Sequence, residues 1–167
     1  MRQIRTVLAV SAVTAVALGT VTAGAPAHTE RAPDTNIVQT AVAAGKFKTL
    51  ASLLKRAGLV KTLAGQGPYT VFAPTDAAFA KVPKATLARL ARNRAKLRSV
   101  LLLHVAKGRL TAAKVTKRRS VKTLNGNRLA IRVRGSKAFV GGARVVTPDV
   151  TATNGVIHII NKVLIPR

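Results

Sequence analysis

Eleven residues in the middle of the chain, Tyr69 to Phe79 (YTVFAPTDAAF), force a change of backbone state within a very short span. Tyr69-Thr70-Val71-Phe72 is rich in β-branched and aromatic residues and reads as a strand. Ala73-Pro74 ends it, because Pro74 has no N–H and disfavours helix at the residue before it. Thr75 and Asp76 then stand where a helix begins, able to accept hydrogen bonds from its first free N–H groups, with Ala77, Ala78 and Phe79 following. A strand-to-helix switch this tight leaves few ways for the remaining chain to pack. We take it as the organising element.

The flanking sequence is mainly helical on both sides of the switch and changes to strand only from about Ser120. Asp34, Thr35 and Asn36 offer caps for a first helix whose inner face carries Ile37, Ala41 and Ala44, ended by Gly45. Phe47, Leu50, Leu54 and Ala57 form the stripe of a second, widened by Leu53, with Lys48, Ser52, Lys55 and Arg56 toward water and Gly58 as its stop. A short helical turn over Leu59–Leu63 leads into a Gly65-Gln66-Gly67-Pro68 loop. After the switch, Val82-Pro83 breaks the chain. A helical region then runs to about Leu103 as two helices or one kinked at Asn93, with apolar sets Leu87/Leu90/Ala91 and Leu97/Val100/Leu101/His104. Gly108 ends this region, and Thr111 is placed to cap a short turn through Lys114.

From about Ser120 the period becomes two. Leu129, Ile131 and Val133 alternate with Arg128, Ala130, Arg132 and Arg134, as on a half-buried strand. Asn125-Gly126 signals a hairpin. A two-residue turn would set Lys122 across from Leu129, so a longer loop or a bulge is expected. Phe139-Val140, Gly141-Gly142 and Val145-Val146 predict another hairpin. Val156–Ile165 (VIHIINKVLI) is apolar on both faces, as a central strand must be. Helices first and strands later give an α+β domain.

Residues 1–27 read differently. Arg2 and Arg5, an apolar run from Val7 to Val21, and Ala25-Pro26-Ala27 make a secretory signal peptide, with Ala23 a second cleavage position. An uncleaved anchor is the alternative, though the run is short and rich in Ala, Thr and Ser for a membrane span. Residues 28–34 read as a disordered lead-in, leaving 35–167 as one folded domain.

Here the residues carry a resemblance. TVFAPTDAAF (Thr70–Phe79) and NGVIHIINKVLIP (Asn154–Pro166) closely resemble the two signature segments of the fasciclin-like, or FAS1, domain. LLLHVAKGRL (Leu101–Leu110) is similar to its central segment, and TLNG (Thr123–Gly126) and GARVVTPDVTATNG (Gly141–Gly155) share its texture. The resemblance spans Thr35 to Arg167. It rests on Thr70, Phe72, Pro74, Thr75, Asp76, Phe79, His104, Asn154, Gly155 and His158 in particular. It implies a wedge of two small β-sheets with a helical layer, and a role in extracellular adhesion. Two departures qualify it. The family's Tyr-His pair, tied to adhesion receptors in animal members, is Leu103-His104 here, so the tyrosine of that interaction is missing. Helix positions where relatives usually carry acids hold Lys46 and Lys61.

Charge decides which functions remain. The chain has 29 Lys+Arg against 4 Asp+Glu, net +25, and no Cys. Its acids are Glu30, Asp34, Asp76 and Asp149. Disulfides and thiolate chemistry are excluded. Asp76 lacks a second carboxylate for acid–base work and reads as a helix cap; Asp149 reads as a turn or strand-end residue. His104 and His158 lie in apolar segments and read as buried, locally hydrogen-bonded groups rather than zinc ligands. A smaller weight goes to His104 as part of a recognition surface, because the family motif sits there. No serine sits in a G-x-S-x-G turn, and no glycine-rich phosphate loop is present, so neither an enzyme nor a cofactor is expected.

The bases remain. No acid lies between Asp76 and Asp149, and the bases there fall into groups. Lys114, Lys117, Arg118, Arg119 and Lys122 fall together; Arg89, Arg92, Arg94, Lys96 and Arg98 sit on the helical region; Arg128, Arg132, Arg134 and Lys137 lie on the hairpin's solvent side. Such residues can simply coat an exterior, yet the charge exceeds what solubility needs. The expected partners are anionic cell-surface or extracellular polymers, or acidic lipid headgroups. Nucleic acid is disfavoured: four Phe, one Tyr and no Trp make poor stacking platforms. The alternatives are a cationic membrane-active protein and a structural envelope protein with no specific ligand.

Overall fold

The structure, a computed structural model, describes residues 35–166. The predicted signal peptide and lead-in lie outside them, as do His28, Glu30 and Asp34.

Three short helices open the fold: α1 (Ile37–Ala43), α2 (Lys48–Ala57) and α3 (Val60–Ala64). Asn36 caps α1 in a full capping box with Gln39. Ile37 and Ala41 are buried, whereas Ala44 is exposed at the C-cap, past the last inward-facing turn. On α2 the predicted stripe of Leu50, Leu54 and Ala57 is buried, and Gly58 takes the left-handed cap.

Strand β1 (Tyr69–Pro74) then leads into α4 (Asp76–Ala80). The strand ends at Pro74 as expected, with both closing residues still in the ladder: Ala73 and Pro74 pair with Ile159 and Ile160 of β7 (Gly155–Ile160), which runs parallel. The proline φ suits extended backbone, and only its missing N–H is lost to the ladder. Next come α5 (Lys84–Arg92) and α6 (Arg94–Leu103), two separate helices. Asn93 ends the first and caps the second, its side chain accepting the Lys96 N–H at 3.0 Å.

The remaining elements are β2 (Val105–Lys107), α7 (Ala112–Thr116), β3 (Ser120–Lys122), β4 (Arg128–Arg134), β5 (Lys137–Val140), β6 (Ala143–Ala152) and β7. The strands run in the order β2-β1-β7-β6-β5-β4-β3. Register shifts along β6, between Val145 and Thr147 and again before Val150, bend the sheet into two halves. A bridge from Ala106 to Thr123 brings its ends together, so the expected wedge nearly closes on itself.

Two cores follow. One lies between the helices and the sheet, built from Leu50, Leu54, Leu63, Val71, Leu101 and Ile157 among others. The second fills the curl of the sheet, with Phe72, Leu129, Ile131, Val140, Ile160 and Leu164. β1 and β7 separate them, which is why alternate residues of both strands are buried on opposite faces. Strand β7 ends at Ile160, earlier than predicted. Val163 and Leu164 stay buried in an irregular segment after it, Val163 in the first core and Leu164 in the second.

The hairpin readings hold with two adjustments. Val121 pairs with Leu129 and Lys122 with Arg128, so the β3–β4 connection is the longer loop expected, closed by the Thr123 N–H to Asn127 O bond. Val133 is 48 % exposed, because the β4–β5 ribbon projects beyond the core it would have joined.

Candidate functional site

The residues carrying the signature segments are structural. Thr70 is fully buried; its hydroxyl donates to Gly108 O at 2.6 Å and accepts the Leu110 N–H at 2.8 Å. Phe72 fills the second core and stacks on His158. Phe79 packs in the first core. Thr75 caps α4, accepting the Ala78 N–H at 3.2 Å. Asn154 accepts the Ile37 N–H at 2.9 Å and donates to the carbonyls of Leu63 and Gly65, holding α1 and α3 to the β6–β7 turn. At Gly155 a Cβ would overlap the Tyr69 carbonyl oxygen, so only glycine fits there.

Asp76 does cap a helix, but not its own. Its carboxylate accepts the Thr49 N–H at 2.9 Å and the Lys48 N–H at 3.3 Å, at the start of α2, whose N-cap residue Phe47 has no side chain for the task. Partial burial works to raise its pKa. The hydrogen bonds from Thr49 and Lys48, with the Lys48 charge, outweigh it, and the net shift is downward. Asp149 departs from its turn or strand-end reading. It lies inside the bulged β6 with φ +57° and accepts the Ala112 N–H at 2.7 Å. It thus supplies the side-chain cap for α7 that Thr111 does not.

Both described histidines are buried and internally satisfied. His104 Nδ1 donates to Val100 O at 2.8 Å and Nε2 accepts the Leu164 N–H at 2.9 Å. Burial, partly offset by the Val100 bond, brings its pKa down to about 4. His158 Nε2 donates to Leu110 O and Nδ1 accepts the Asp149 N–H at 3.3 Å. Burial lowers its pKa too, against the opposing pull of Leu110 and Asp149. At 2 % exposure His104 presents no surface to a partner. Among the described residues no three His, Cys, Asp or Glu come together as a metal site, and no helix is long and apolar enough to cross a membrane.

The predicted bases are all exposed, and strand register sorts them. Directly paired residues share a face. Lys122 pairs with Arg128, Arg132 with Phe139, Arg134 with Lys137, and Phe139 with Arg144. Alternation along β4 puts Arg128, Arg132 and Arg134 on that same outer face. The result is a surface of six cations around one half-buried phenylalanine. Along it runs a groove of about 810 Å³, lined by Arg128, Arg132, Arg134 and Phe139 and closed on one side by Ile165 and Pro166. Arg118 and Lys122 flank a second recess together with Lys107.

Lys114, Lys117 and Arg119 lie on α7 and its exit, beside β4; the Arg119 carbonyl accepts the Ile131 N–H. Arg92 and Lys96 stand apart, on α5 and the first turn of α6 in the helical layer, with no pairing to the sheet face. Sequence reasoning missed Arg144. Its signal was its place two residues beyond Gly141-Gly142, opposite Phe139 in a tight hairpin.

Comparison with known proteins places this geometry in context. The family model described as "Fasciclin domain" matches residues 45–166. The Synechocystis protein sll1483 is 39% identical over 179 residues, covering 99% of both chains. Transforming growth factor-beta-induced protein ig-h3 from Sus scrofa is 36% identical over 132 residues, which is 78% of this chain and 19% of that one. A solved FAS1 domain pair from the insect cell adhesion molecule fasciclin I superposes with a TM-score of 0.59 at 26% identity, over 73% of this chain and 46% of that one.

Proposed function

We propose that this chain, which belongs to the fasciclin domain family, is a secreted, non-enzymatic adhesion module that holds anionic cell-surface polymers on the outer face of β3–β6. One observation carries the reading: Lys122, Arg128, Arg132, Arg134, Lys137 and Arg144 share that face, and β3, β4 and β5 contain no acid. Neighbouring strands lie about 4.8 Å apart, inside the roughly 8 Å screening length of physiological salt. Cations on adjacent strands therefore repel their neighbours, and a polyanion relieves that repulsion while it binds.

The adhesion half of the proposal draws on the likeness to the insect cell adhesion molecule. The non-enzymatic half draws on occupancy: Asp76, Asp149, His104 and His158 are each engaged in holding backbone groups. Binding to isolated envelope from the same cells, followed across an ionic-strength series, tests the reading. Retention that outlasts that of a control protein of matched charge supports it. Loss at the same moderate salt as the control overturns it. Leakage of anionic vesicles on addition of the folded domain would point to a membrane-active protein instead.

A further inference from the structure

The cationic face is interrupted by hydrocarbon. Next to Phe139 and Gly142 opens a recess of about 440 Å³, walled by Ala78, Val82 and Pro83 around the end of α4 and by Val163 and Ile165 of the segment after β7. Ile165 is 46 % exposed at its lip, one of few large apolar side chains so open to water. Three exposed cations, Lys81, Arg144 and Lys162, stand around the mouth, and among the described residues no carboxylate lines it. Its rim is fixed: Asn161 Oδ1 accepts the Arg144 N–H at 3.0 Å, and the Asn161 N–H donates to Arg144 O.

Hydrated polymers of charged sugars gain little from an apolar hollow. Covering this one removes hydrocarbon from water, which favours an apolar occupant. Its volume falls within the roughly 300–1,000 Å³ of small-molecule sites. An apolar body with cations at a single mouth is complementary to a ligand with one chain and one anionic head. We propose that the recess binds a free single-chain amphiphile bearing a phosphate or carboxylate. The chain lies against Ala78, Val82, Val163 and Ile165, and the head sits between Arg144 and Lys162. The site shares Arg144, Phe139 and Ile165 with the polymer face and its groove, but Lys81, Lys162 and the walls of Ala78, Val82 and Val163 belong to it alone. Arg128 and Arg132 take no part in it.

Calorimetric titration with dodecyl phosphate below its micelle concentration tests the assignment, with inorganic phosphate and neutral dodecyl maltoside as comparisons. Saturable one-to-one binding at least about tenfold tighter than either comparison is expected. Ile165→Asp, which sets a carboxylate on the apolar lip, should weaken it by at least about tenfold, and Lys162→Ala by several-fold. The double variant Lys114→Ala/Lys117→Ala, on α7, should leave it unchanged. If Ile165→Asp fails to fold, the exposed Lys162→Ala still decides. The proposal is overturned by dodecyl phosphate binding no tighter than inorganic phosphate, or by equal losses in the Lys162 and Lys114/Lys117 variants. It is equally overturned if anionic vesicles are bound while monomeric dodecyl phosphate is not.

Discussion

The Asp76 carboxylate accepts the backbone N–H of Thr49 at 2.9 Å, joining residues 27 apart in sequence. The Asp76 N–H in turn donates to Lys46 O at 3.0 Å, so the start of α4 and the start of α2 are pinned together in both directions. Replacing Asp76 by Ala leaves two N–H groups of α2 without acceptors. Loss of such a cap costs about 1 kcal/mol, or roughly 3–5 °C in Tm for a domain of this size. Asp76→Asn keeps an acceptor and should lose less. Thermal melts of the two variants beside the parent measure the difference.

Asp149 couples a strained backbone to a cap. Its φ of +57° is a conformation that Asn and Asp tolerate better than other side-chain-bearing residues. Its carboxylate holds the first N–H of α7. Asp149→Asn preserves both features and should sit within about 0.5 kcal/mol of the parent. Asp149→Ala forfeits the acceptor and keeps the strain, and should cost about 1–2 kcal/mol. Urea denaturation of the pair separates the outcomes. Equal stabilities would mean that the contact to Ala112 contributes nothing.

Acid sensitivity in this fold rests on histidine. With Asp76 and Asp149 the only acids among the described residues, protonation of paired carboxylates cannot dominate. His104 must stay neutral to accept the Leu164 N–H, and its pKa is lowered from 6.5 to about 4. The folded value lies below the unfolded one, so the unfolded chain takes up the proton first as pH falls. The stability that neutral His104 provides is intact above about 6.5 and is lost progressively down to about 4. The shift corresponds to roughly 3 kcal/mol. His158, shifted in the same direction, adds to the slope. Asp76, held low by its bonds, adds its own loss only below the ordinary carboxylate range. Denaturant melts from pH 7.5 to 4 should show steadily falling stability, with a shallower fall in His104→Gln. An unchanged slope in that variant would assign the sensitivity elsewhere.

Legibility in the sequence followed the range of the interaction. The α2 stripe, the Gly58 cap, the break at Asn93 and the alternation of β4 are set by neighbours within a few residues, and each could be read. The two remote caps could not. Nothing in Asp76 or Asp149 says that it serves a helix whose start lies 28 residues upstream in the one case and 37 upstream in the other. Strand β2 was hidden because three residues give no period, and its pairing to β1 is settled only by the fold. Val133 kept perfect alternation and still faces water, since alternation fixes a side but not the extent of the core beneath it. The cationic face was half legible: the bases of β4 could be placed on one side, but Arg144 joins them only through β5.

Gly155 and Gly126 make a controlled pair. Gly155 lies in the β1–β7 ladder, where a Cβ would overlap the Tyr69 carbonyl and press on Ile37. Gly126 has φ +88° in the β3–β4 loop, with open space around the missing Cβ. Gly155→Ala must push two central strands apart and should cost more than about 3 kcal/mol. Gly126→Ala meets only backbone strain, of order 1 kcal/mol. Soluble yield and denaturant midpoints rank the two; a mild Gly155→Ala would show that the ladder can yield there.

Polyanion binding, if it uses the sheet face, must depend on position as well as on net charge. Removing Arg128, Arg132, Lys137 and Arg144 lowers the charge by four; so does removing Lys46, Lys48, Lys55 and Lys61 from the helical layer. All eight are exposed, so both variants should fold. A diffuse cationic coat predicts equal losses of affinity for a sulphated polysaccharide. A dedicated face predicts that the sheet variant loses at least about tenfold more. The slope of log affinity against log salt should also fall by nearly one for each anion contact removed. An intermediate variant lacking Lys117, Arg118, Arg119 and Lys122 locates the edge of the patch. Lys122 shares the face through Arg128, whereas the other three lie between α7 and β3. Most of that variant's loss should therefore be reproduced by Lys122→Ala alone. If Lys117, Arg118 and Arg119 account for it instead, the binding surface runs from β4 toward α7 and not across β5 to Arg144.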